Sequence, residues 1–119
     1  MNRAVGVSLG MAIVVMLGWW LFVRAPAPNV IRWTTQSEHN TFAYVVFRGT
    51  SREGPFERIS TEMILGAGTT DLPQRYRFSD ADIEFDAVYW YYVESVSLSG
   101  EHTRLTPVGA SRPKSRLSW

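Results

Sequence analysis

The sequence has no cysteine, which excludes a disulfide framework and a thiolate metal site. Lysine is almost missing too, with Lys114 alone against eleven arginines. His39 and His102 are the two histidines, and both fall in polar stretches, where one histidine without partners makes no metal site. No Gly-x-Ser-x-Gly elbow and no Gly-x-x-x-x-Gly-Lys-Ser/Thr run occurs, so neither a nucleophile turn nor a phosphate cradle is indicated. Past residue 30, no stretch keeps a 3.6-residue apolar period for ten residues, which argues against helices in the body of the chain. The expectation is a protein that is not an enzyme, with no catalytic, cofactor-binding or metal residues and no small-molecule substrate.

What the chain does have is one long apolar run. Ala4 to Val23 reads AVGVSLGMAIVVMLGWWLFV, with no charged or strongly polar side chain. As a helix it would cover about 30 Å, the thickness of a bilayer's hydrocarbon core. Arg3 and Arg24 mark its ends, and Trp19 and Trp20 sit where indole rings favour the headgroup level. Residues 1–24 are therefore predicted to form a single transmembrane anchor. The competing reading is a signal peptide cleaved near Ala25-Pro26-Ala27, but the run is long for a signal core and Pro28 would hinder cleavage. Gly6, Ser8 and Gly10 give the anchor a small-residue face on which another membrane helix could pack closely.

Beyond a proline-containing linker at 25–29, short apolar runs alternate with turn residues. Strands are predicted at Val30–Thr34, Thr41–Phe47, Phe56–Ile59, Met63–Leu65, Tyr76–Phe78, Val88–Val96 and Thr103–Leu105, the last extending to Val108. Regular spacing of this kind points to an all-β sandwich or barrel. Gln36 to Asn40 is read as a polar loop, and the stretch with Gly66, Gly68 and Pro73 as a loose one.

Charge is segregated. Between Val30 and Ala110 there are seven arginines and eleven acids, a net of −4, whereas the tail carries Arg112, Lys114 and Arg116. A mildly acidic body argues against a nucleic-acid-binding domain. Asp80, Asp82, Glu84 and Asp86 place carboxylates at every second residue, but the loop lacks the glycine of a calcium turn and reads as a solvated connection. The tail, 109–119, is either a disordered end or a basic arm that docks on an acidic partner or anionic lipid, with Trp119 as an apolar anchor.

Several residues in order carry a resemblance. Trp33, Tyr44-x-Val46, Gly54-Pro55-Phe56 and Tyr89-x-x-x-Val93 resemble the pattern of a fibronectin type III domain. Phe47-Arg48-Gly49-Thr50-Ser51 and Tyr76-Arg77-Phe78-Ser79-Asp80 are similar to stretches of its bacterial members. The resemblance covers residues 30–108 and implies an immunoglobulin-like β-sandwich that serves as a spacer or binding module. The chain has little room for the family's first strand, and Ile83 to Ala87 lacks the glycine common before the long strand, so an open sheet edge is expected.

Alternation then assigns faces. With Tyr44, Val46, Tyr89, Tyr91 and Val93 inward, Val45, Phe47, Trp90 and Tyr92 point outward. In the resembled fold these strands are neighbours, so the four form an apolar patch on a face that normally reads polar. Either a partner or the chain's own linker, tail or acidic loop covers it. The function expected is a non-catalytic accessory subunit of a larger membrane complex, respiratory, photosynthetic or secretory. The alternative is a free-standing surface module for a soluble protein, glycan or cell-wall polymer. The flanking charges are nearly balanced. The short leader and the resemblance place the amino terminus in the cytoplasm and the domain outside, in the periplasm, on a bacterial inner membrane.

Overall fold

The computed structural model describes residues 25–116. The anticipated anchor, with Gly6, Ser8, Gly10, Trp19, Trp20 and Arg24, lies outside these residues, as does Trp119. Among the described residues no helix is long and apolar enough to cross a membrane. They form a β-sandwich of two antiparallel sheets.

Eight strands run β1 (Asn29–Thr35), β2 (Glu38–Gly49), β3 (Phe56–Arg58), β4 (Ile64–Thr70), β5 (Gln74–Asp80), β6 (Trp90–Ser97), β7 (His102–Arg104) and β8 (Gly109–Ala110). The small sheet is β1 paired with β5, and the large one has the order β3-β2-β6-β7. β4 joins the same edge of β2 as β3, and β8 joins the same edge of β6 as β7. Each of these pairs is thus one interrupted return strand. The chain crosses between sheets twice at one pole, through Gln36-Ser37 and through Asp71-Leu72-Pro73.

Alternation fixes the core. Trp33, Tyr44, Val46, Ile83, Tyr89, Tyr91 and Val93 are buried between the sheets, with Ile31, Tyr76 and Phe78 packed against them. Trp33 faces Tyr76 across the small sheet, and their rings stack at 5.6 Å. Tyr44 reaches over from the large sheet to lie 4.7 Å from Tyr76 and 5.7 Å, edge-on, from Trp33. Such offset and edge-to-face pairs add to the area they bury.

Two loop expectations are corrected. Glu38 to Asn40 belongs to β2, so the loop after β1 is only two residues long. The glycine stretch is strand β4, not a loop. Gly66 is there because a Cβ would lie 2.9 Å from the Thr41 carbonyl oxygen of the paired strand. Gly68 has φ of +76° and sits opposite Thr41, where the ladder shifts register in a β-bulge. Glycine here marks a strand that is kinked against its neighbour.

Candidate binding surface

The outer face of the large sheet is a lattice read from its registers. Phe56, Gly49, Trp90 and Ala110 form one row across β3, β2, β6 and β8. Arg58, Phe47 and Tyr92 form the next, followed by Val45, Glu94 and Arg104. The fourth is Leu65, Ala43, Val96 and His102. Register partners share a face, so all these side chains project away from the core.

Phe47 and Tyr92 stack at 4.9 Å with an interplanar angle of 11°. Phe56 meets Tyr92 edge-on at 5.0 Å, filling space that the missing side chain of Gly49 leaves, since a Cβ there would come 2.9 Å from the Phe56 ring. The Arg104 guanidinium lies 4.1 Å over the other side of Tyr92. Tyr92 is thus held between an aromatic pair and a cation. Trp90 stands half-buried beside them. Of the four residues expected on this face, Phe47, Trp90 and Tyr92 come together at its surface. Val45 has no exposed surface at all, so it supports the face from within rather than contributing contact area. Phe56, Arg104 and Leu65 belong to the same face and were not picked out from sequence. Leu65 is 68% exposed. Alternation within β2 and β6 could not find them, because they enter from strands whose pairing is non-local.

The described part of the basic tail packs against the end of the chain's own acidic loop. The Asp86 amide donates to the Lys114 carbonyl at 2.8 Å, and the Ser111 amide donates to the Tyr89 carbonyl at 2.8 Å. The Tyr89 amide donates to the Ser111 hydroxyl, and the Arg116 guanidinium lies 4.5 Å over the Phe85 ring. Arg112 is exposed. Among the described residues these contacts of the tail are with Phe85, Asp86 and Tyr89.

The buried titratable groups knit the two sheets together. At the crossover pole Glu38 accepts from Tyr76 at 2.6 Å, from Thr35 at 3.0 Å and from the Ala67 amide at 3.1 Å. Burial opposes its charge, but these donors outweigh burial and hold its carboxyl below the ordinary value. Burial, together with Glu38, pushes the Tyr44 hydroxyl up to about 12, and Tyr76 rises for the same reasons. At the other pole Asp80, 4% exposed, takes Arg48 through both carboxylate oxygens at 3.0 Å and Tyr91 at 2.6 Å. Arg48 also donates to the Asp82 carbonyl at 2.7 Å, and Asn29 donates to the Tyr91 hydroxyl at 2.9 Å. Burial works against the Arg48 charge, yet Asp80 and Glu57 keep its pKa above the usual arginine value. Burial and the bond to Asp80 likewise raise Tyr91. Asp80 is therefore the last residue of β5 and an inter-sheet tie, not part of a solvated loop.

Comparison of the chain with protein-family models, characterised proteins and solved structures returns no match.

Proposed function

We propose that this chain is a membrane-anchored, non-catalytic accessory subunit, with a fibronectin type III-like sandwich that engages a larger assembly on the extracytoplasmic face of a bacterial inner membrane. The observation that carries the reading is the aromatic cluster of Phe47, Phe56 and Tyr92 on the outer face of the large sheet, with Trp90 in the adjacent row. Aromatic rings beside arginine are the composition of an interface centre. The apolar stretch Ala4–Val23 supports the anchor through its length. The pairing of β2 with β6, and a small sheet that begins at β1 with no strand before it among the described residues, support a fibronectin type III-like sandwich lacking its first strand.

Every buried carboxylate described above is used to join the sheets, whereas the rings of the outer face make no contact between the sheets. The test is the size of the native particle. Full-length protein extracted from its own membranes in digitonin is expected to run with a large assembly. Phe47→Ala combined with Trp90→Ala should release it while the thermal melt of the domain is kept. Recovery of wild-type protein only as a free monomer would sink the proposal and favour a free-standing surface module.

A further inference from the structure

A second surface, which meets the aromatic face at Tyr92, has a different chemistry. A groove of about 420 Å³ runs between β1 and the return strand 106–112. Four consecutive residues of β1, Asn29 to Arg32, line it. Side chains of a strand alternate between faces, so consecutive residues share a groove only along the strand's edge, where the backbone is presented. The opposite edge of β1 is occupied by β5, and no other strand pairs with β1 among the described residues. The groove therefore carries a free ladder of amides and carbonyls.

Its charge is one-sided. Arg32, Arg112 and Lys114 line it, and no carboxylate does. Arg32 also stands directly opposite Arg77 in the small sheet, with Arg75 two residues along the same strand. Like charges paired across a sheet cost stability. None of these five cations makes an ion pair among the described residues, although the body from Val30 to Ala110 has a net charge of −4. A charged residue on an edge also deters self-pairing. Here, though, cations from β1 and the tail converge on an edge whose groove also holds Val30, Ile31 and Val93, while Arg75 and Arg77 stand on the neighbouring strand β5.

We infer that this groove binds an acidic peptide segment of a partner protein in extended form, added as a strand along the free edge of β1. Backbone ladder bonds supply affinity in such an addition, and alternate side chains supply selectivity. Acidic side chains on the added strand would meet Arg32, Arg112 and Lys114 in charge-assisted contacts.

The probe is a fluorescent octapeptide of alternating valine and glutamate, titrated into full-length protein in neutral detergent and read by anisotropy. Saturable binding that weakens as salt is raised is expected. Arg32→Glu with Arg112→Glu should weaken it about tenfold or more. The gentler pair Arg32→Gln with Arg112→Gln should act in the same direction should the reversals disturb the fold. Methylating alternate backbone nitrogens of the peptide should cost about tenfold as well, because ladder bonds are lost. Leu65→Ala, at the far edge of the outer face and outside the groove, should leave binding unchanged, which separates this site from the rest of that face. Equal binding of a valine–lysine octapeptide, full binding of the methylated peptide, or indifference to the arginine changes would each overturn the inference. So would binding only to phosphatidylglycerol vesicles, which would assign the cations to a lipid surface.

Discussion

Glu38 and Asp80 are buried carboxylates that each gather several donors, and so the cost of losing either is set by what it leaves behind. Asp80→Asn would leave the Arg48 guanidinium, whose side chain is only 12% exposed, with no buried counter-charge and with the exposed Glu57 at 3.1 Å as its nearest ion-pair partner. A loss of about 3 kcal/mol is expected, read as a lowered denaturant midpoint. Replacing both partners, with Arg48→Met and Asp80→Leu, should recover most of that loss, because no buried charge then remains. Glu38 gives a pH signature. Its carboxyl is held below 4.5 in the fold, so its contribution is present above that value and is lost as pH falls through the folded pKa. Glu38→Gln should cost about 1–3 kcal/mol near neutrality. The gap between variant and wild type should close below pH 4.5, as followed by melting temperature against pH. A constant gap across that window would refute the role given to Glu38.

At the scale of elements, β4 shows how a strand can be hidden by its own composition. Ile64-Leu65-Gly66-Ala67-Gly68-Thr69-Thr70 carries two glycines, which weaken strand propensity and suggest a loop. They are required for opposite reasons. Gly66 is crowded by the Thr41 backbone and by Glu38, whereas Gly68 has open space but a left-handed backbone. Gly66→Ala should therefore destabilise through a steric clash, by about 1–3 kcal/mol. Gly68→Ala should cost about 1 kcal/mol through its dihedral alone. Asn at position 68, which tolerates positive φ, should restore much of the loss, and Asn at 66 should not. Thermal melts of the four variants separate the two causes. The inward rows of β2 and β6 were legible in sequence because a period of two is a local property. The contributors from β3, β4 and β7 to the outer face were not, because their register is set by partners across the sheet.

For the whole molecule, the basic tail has a structural role made of hydrogen bonds to the backbone and one cation–π contact. The basic tail lies along the acidic segment before β6 and extends the large sheet past β8 through Ser111. Deleting residues from Ser111 onward removes two bonds to Tyr89 and one to Asp86, together with the Arg116 contact on Phe85. At roughly 1 kcal/mol for each hydrogen bond, about 3 kcal/mol should be lost, measurable by urea unfolding. An unchanged midpoint would mean that the tail contributes no stability.

The sequence by itself determined the all-β class, the inward faces of the two central strands and the absence of cysteine chemistry. Each follows from composition or from alternation along a few residues. Only the tertiary structure decided that Asp80 ties one sheet to the other, that Val45 lies beneath the outer face rather than on it, and that one edge of β1 has no partner strand among the described residues. Those properties depend on which strands meet. Residues as far apart as Arg48 and Asp80 become partners only when two sheets close on one core, and no local pattern in the chain encodes that distance.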